Sequence, residues 1–155
     1  MKLIPLIISI IMTTSLIFLF SCDKYEETES YPVIDLEILQ FVNQHRQTIG
    51  KSNLVMNPII WKEARQHSKN MAEGTVPFGH EGAEERITRT MNIIGGESAG
   101  ENVAMGNMTG REVVDCWLKS FGHKANIELD FTLTGVSAVK NSTGSWYYTQ
   151  IFLKK

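Results

Sequence analysis

Ser145-Trp146-Tyr147-Tyr148-Thr149-Gln150-Ile151-Phe152-Leu153 reads as a strand that fixes what must lie on either side of it. Both of its alternating sets are apolar or aromatic. Trp146, Tyr148 and Phe152 point one way; Tyr147, Ile151 and Leu153 point the other. Successive side chains of a strand face opposite sides of a sheet, so a strand apolar on both sides must be covered on both. Residues 131–140 read as its partner strand, and Asn141-Ser142-Thr143-Gly144 between them has the composition of a hairpin turn.

The upstream chain supplies helices to cover both faces. Ile34, Ile38, Phe41, Val42, His45 and Ile49 recur at helical spacing, with Gly50 as a stop. A second helix carries Ile60, Ala64, His67 and Met71, with Trp61 and Ala72 beside them; Pro58 suits its start and Gly74 its end. Residues 84–91 predict a short helix, 93–100 an irregular glycine-containing segment and 101–105 a strand. Residues 109–121 predict a helix capped by Thr109, with Glu112 in its first turns. Its stripe is Val113, Trp117 and Phe121, and Gly122 is its expected stop. The expected class is α/β, a three-layer α-β-α sandwich around a small antiparallel sheet. His45 and His67 lie on apolar stripes and read as packed, hydrogen-bonded core histidines.

The chain has 155 residues, enough for one domain with a real core. Formal net charge is −2. No basic run or stripe exists, which argues against nucleic acid as a partner. The start of the chain sets the expected compartment. Lys2 is followed by an apolar run from Leu3 to Phe20, then Ser21-Cys22, the pattern of an export signal over 1–21. Leu19-Phe20-Ser21-Cys22 also resembles a bacterial lipobox, in which Cys22 carries the lipid after cleavage. The competing reading is an uncleaved membrane anchor. Cleavage would remove Lys2 and leave the mature chain one unit more acidic. Residues 22–34 then form the lipidated Cys and an acidic tether, and 35–155 the domain. The expected place is the cell envelope, on a membrane through Cys22. Cys116 would remain without an internal partner and reads as a small buried hydrophobe.

Four signatures follow in order: Gly79-His80; Gly100-Glu101-Asn102; Trp117 through Gly122-His123-Lys124-Ala125-Asn126-Ile127; and Trp146 to Gln150-Ile151. Together with Leu39-Gln40-Phe41-Val42-Asn43-Gln44-His45-Arg46, they resemble the CAP superfamily, the cysteine-rich secretory, antigen 5 and pathogenesis-related proteins. The likeness is to its compact bacterial SCP-like extracellular branch and spans roughly residues 35–153. The resemblance implies the same α-β-α arrangement. It also implies that His80, Glu101 and His123 face one cleft, with Asn126 in the binding group. Larger relatives carry a second glutamate three positions after the helix tryptophan; here that position is Ser120, and Glu112 cannot take its role.

That residue set allows several chemistries. Two imidazoles and a carboxylate would suit zinc, with water as fourth ligand. Without metal they could act as an acid–base pair. Alternatively Glu101 pins its loop by accepting backbone N–H bonds, and Asn102 and Asn126 do similar work in turns. His80-Glu81-Gly82-Ala83-Glu84 is not a zinc-protease motif, since its last position is Glu. No serine-hydrolase elbow is present. Two functions from different classes therefore stand. One is a membrane-anchored binding or interaction module, for a metal, a small apolar or lipid ligand, or another envelope protein. The other is a hydrolase, peptidase-like or envelope-directed, with His80, Glu101 and His123 as its candidate catalytic residues.

Overall fold

The computed structural model describes residues 30–155. The expected export signal over 1–21 and the expected lipid site Cys22 lie outside the described residues. Five helices and four strands follow in the order α1 (Val33–Thr48), β1 (Val55–Met56), α2 (Pro58–Glu73), α3 (Ala83–Ile94), β2 (Ser98–Gly106), α4 (Gly110–Lys119), α5 (Phe121–Glu128), β3 (Leu133–Lys140) and β4 (Trp146–Lys154).

The sheet order is β1-β3-β4-β2. β4 lies between β3 and β2, antiparallel to both, and the two-residue β1 adds a short parallel edge to β3. The central place of β4 explains its two apolar faces. Tyr148 and Phe152 join Ile38 and Val42 of α1 and Val113 and Trp117 of α4 in the larger core. Ile151 and Leu153 join Ile60 and Ala64 of α2, with Ile87, Met91 and Ile94 of α3 packed against them. The three-layer sandwich is therefore a consequence of one strand that must be dry on both sides.

Local signals set the helix ends. The Asn57 side chain accepts from the N–H groups of Ile59 and Ile60, Pro58 opens α2, and Gly74 closes it in the left-handed region. Thr109 and Glu112 form a reciprocal capping box on α4. In the β3–β4 turn the Asn141 side chain accepts from the N–H groups of Thr143 and Ser145. Gly135 faces α2 so closely that a Cβ there would overlap backbone atoms of Ile60 and Trp61. A bare strand lets helix and sheet meet at this point.

Four expectations need correction. The irregular segment is shorter than 93–100: α3 runs to Ile94 and β2 begins at Ser98, so only residues 95–97 lie outside regular structure. Gly122 does not stop a helix. The α4 helix ends at Lys119, Ser120 turns the chain, and Gly122 lies inside α5. Phe121 is consequently 92% exposed, because the turn at Ser120 takes it off the Val113–Trp117 stripe. Cys116 is exposed, since it lies beside that stripe and not on it.

Candidate functional site

β2 is an edge strand, and the candidate site is built around its residues Glu101 and Asn102. Neighbouring residues of a strand face opposite sides. Glu101 is paired with Ile151, so it shares the α2/α3 face. Asn102 turns the other way, toward α5.

On the first face Glu101 is buried, its side chain only 3% exposed. An isolated carboxylate there would be costly, and the guanidinium of Arg86 in α3 removes that cost. Arg86 donates Nε to Glu101 Oε2 at 2.5 Å and Nη2 to Oε1 at 2.7 Å, a bidentate pair. Its Nη1 donates to the Glu81 carbonyl at 2.7 Å. The same guanidinium thus fixes both the carboxylate and the loop that carries His80.

His80 Nδ1 lies 2.8 Å from Glu101 Oε1, and its side chain is 51% exposed. A carboxylate accepts, so Nδ1 carries the hydrogen and Nε2 is left as an acceptor when the ring is neutral. Behind the loop, the buried His67 donates Nε2–H to the Gly79 carbonyl at 2.9 Å. Burial holds His67 below the ordinary imidazole value of 6.5. Arg86 and His80 push it the same way, while the Gly79 carbonyl and Glu101 oppose them. Its place on the apolar stripe of α2 is as expected. Its bond to Gly79 makes it a positioning residue for His80.

On the opposite face, Asn102 donates Nδ2 to the His123 carbonyl at 3.0 Å. Asn126 donates its Nδ2 to the Glu101 carbonyl at 3.1 Å and to Asn102 Oδ1 at 2.9 Å. Asn126 thus ties α5 to the strand edge. Gly100 gives it room: a Cβ there would come within 2.8 Å of Asn126 Oδ1. Trp117 closes the next edge carbonyl, donating Nε1–H to Val103 O at 3.1 Å. His123 sits in the first turn of α5. Burial lowers its pKa first, and the nearness of His80 lowers it further.

The structure therefore joins His80 to Glu101 directly and brings His123 within electrostatic reach of His80. His123 makes no side-chain hydrogen bond to either. Among the described residues, no group of three or more His, Cys, Asp or Glu side chains is arranged to hold a metal ion. Both oxygens of Glu101 are engaged by Arg86, a cation that a dication would have to displace. As placed, Glu101 offers a metal no oxygen free of Arg86.

Arg86 is the residue of the candidate site that the sequence did not point to. Its signal was indirect: a glutamate on a strand enclosed by helices demands a cation, and α3 supplies Arg86 and Arg89. Arg86 is buried, while Arg89 pairs with Glu63 at the surface. A cavity of about 210 Å³ between α2 and α3 has His67 and Arg86 in its wall, together with Asn70, Glu81 and Glu85. His45 is the other departure. It is half-buried and bonds Glu128 at 2.8 Å across to α5, at the margin of the core.

With this geometry in place, comparison with known proteins identifies the family. The family model described as "CAP: Cysteine-rich secretory protein family" matches residues 39–152, and the chain belongs to that family. It is 30% identical to YkwD of Bacillus subtilis over 144 residues, which is 87% of this chain and 54% of that protein. The chain thus spans about half the length of YkwD. Among solved structures, an extracellular SCP-domain protein from Bacillus anthracis matches with a TM-score of 0.67 at 28% identity, over 77% of this chain and 40% of that one. An outer surface protein of Borrelia burgdorferi has the same fold at 20% identity and a TM-score of 0.67, over 78% and 92% of the two chains. No helix among the described residues is long and apolar enough to cross a membrane.

Proposed function

We propose that this CAP domain is an extracytoplasmic binding module, held on a membrane through lipidated Cys22, and that His80 is the group it presents to its ligand. One observation carries this reading: a half-exposed imidazole stands on a fully paired, buried carboxylate. Arg86 neutralises Glu101, Glu101 fixes the His80 ring, and Nε2 is turned toward the ligand as a preset acceptor. The ligand class is one that donates a hydrogen bond, from a hydroxyl or amide, such as the polymers and proteins of a cell envelope. A small apolar or lipid molecule bearing a hydroxyl also satisfies this requirement. Placement outside the cytoplasm is supported by the extracellular character of the similar Bacillus anthracis protein.

The test compares wild type with His80→Gln and Asn126→Ala in binding to purified envelope fractions. The reading predicts that His80→Gln loses binding by about tenfold, the worth of one hydrogen bond of roughly 1.5 kcal/mol, with folding unchanged. Unchanged binding in that variant rejects it. Calorimetric titration with zinc chloride should give no stoichiometric binding; one zinc per chain, lost in His80→Ala, would restore the metal reading.

The hydrolase reading rests on the same 2.8 Å contact, because a carboxylate-oriented imidazole is the arrangement of a general base. It requires turnover of a peptide or envelope polymer that disappears in both His80→Gln and Glu101→Gln. Turnover that survives in either variant removes it.

A further inference from the structure

The outer face of α2 bears charge that the site does not use. Arg65, Lys69 and Lys140 converge on a groove between α2 and the β3–β4 turn, with Ser142 and Glu73 in its wall. The surface continues past Trp61 and Lys62. Glu73 is its acid, paired with Lys69 at 3.7 Å. The cations stand beside indoles: Arg65 lies 5.4 Å from the Trp61 ring and Lys140 5.1 Å from the Trp146 ring. The described chain begins against the same face, where Tyr31 packs edge-on to Trp61 at 5.2 Å.

Eight residues, 23–30, separate Cys22 from Tyr31. Fully extended they span at most about 29 Å. A lipid on Cys22 would therefore keep the face that carries Trp61 within that reach of the bilayer. We infer that this face docks on an anionic lipid surface, with Arg65, Lys69 and Lys140 among the headgroups. The inference rests on the lipid-anchor reading above. Each cation favours the docked orientation by about fivefold, and the effect acts within a Debye length of roughly 8 Å. Exposed Cys116 lines no part of this groove and lies outside the docking contact. The segment 23–30 also contains Asp23, Glu26, Glu27 and Glu29, so this acidic stretch is the rival occupant of the groove.

The experiment uses the lipidated protein reconstituted in vesicles of phosphatidylcholine, or of equal parts phosphatidylcholine and phosphatidylglycerol. A fluorophore is placed on Ser142→Cys in a Cys116→Ser background, or on native Cys116. Headgroup-quencher lipids read how close each comes to the surface. Docking predicts several-fold stronger quenching at position 142 in the anionic vesicles, no lipid dependence at Cys116, and loss of the difference in Arg65→Glu/Lys69→Glu/Lys140→Glu. The same positions changed to Gln serve if that variant misfolds by circular dichroism. Equal quenching at 142 in both vesicles, in protein that floats with them, overturns docking alone. Failure to float overturns the anchor and docking together. Shielding of position 142 from acrylamide in neutral vesicles, relieved by neutralising Asp23, Glu26, Glu27 and Glu29, overturns docking in favour of the acidic segment.

Discussion

Glu101 is buried, where an unpaired carboxylate would be costly, and three side chains hold it in place. Arg86 supplies the balancing charge, His80 takes the remaining outward hydrogen bond, and Asn126 holds the backbone carbonyl. The hierarchy among them is testable. Arg86→Met strands a buried charge and should cost about 3–5 kcal/mol in urea unfolding. Adding Glu101→Gln should recover more than half of that loss, because the charge goes with its partner. A double variant no more stable than Arg86→Met would show that the pair is not coupled. His80→Gln should cost about 1 kcal/mol or less, since His80 is half-exposed and Arg86 still satisfies the carboxylate.

Elements are joined here by single side chains reaching across layers. Arg46 of α1 is buried and donates to four backbone carbonyls, those of Ser52, Ile127, Leu129 and Phe131. It holds the end of α5, and thus the helix that carries His123 and Asn126. Asp35 does the corresponding work at the other edge of the sheet. Its two oxygens accept from Trp61 Nε1 and from the Ala138 N–H, each at 2.8 Å. A side-chain amide in its place could accept with only one atom, so Asp35→Asn should destabilise by about 1–3 kcal/mol through one unpaired donor. A loss near zero in thermal or urea unfolding would contradict that account. Gly135→Ala should be poorly tolerated for a different reason, as backbone and not a movable side chain lies in the way.

At the scale of the whole molecule, acid should weaken the fold just below pH 6.5. His67 and His123 are both held under the ordinary value of 6.5, chiefly by burial. As pH falls through 6.5 the unfolded chain takes up protons first, so folding stability drops until the folded-state values are passed. His67→Gln combined with His123→Gln should flatten that slope in unfolding measured across mildly acidic pH. An unchanged slope would assign it elsewhere. Asp35 acts with the opposite sign. Its raised value means the folded state binds the proton first and gains stability as pH falls through that value.

The sequence alone determined the layered architecture, because periodicity is local and burial enforces it. A strand apolar on both faces, two amphipathic helices, a hairpin turn and the family signatures all lie in contiguous residues. His80, Glu101 and His123 were legible as polar groups at motif positions. Which partners those groups meet was set by the folded chain. It placed Glu101 and Asn102 on opposite faces of one strand, bound the carboxylate to Arg86, left His123 without a bond to it, and turned Phe121 outward through a break at Ser120. Partners far apart in the chain, such as Arg46 with Phe131 or Asp35 with Ala138, leave no periodic trace. Their pairing is set by where layers meet in space, and only the folded chain brings those layers together.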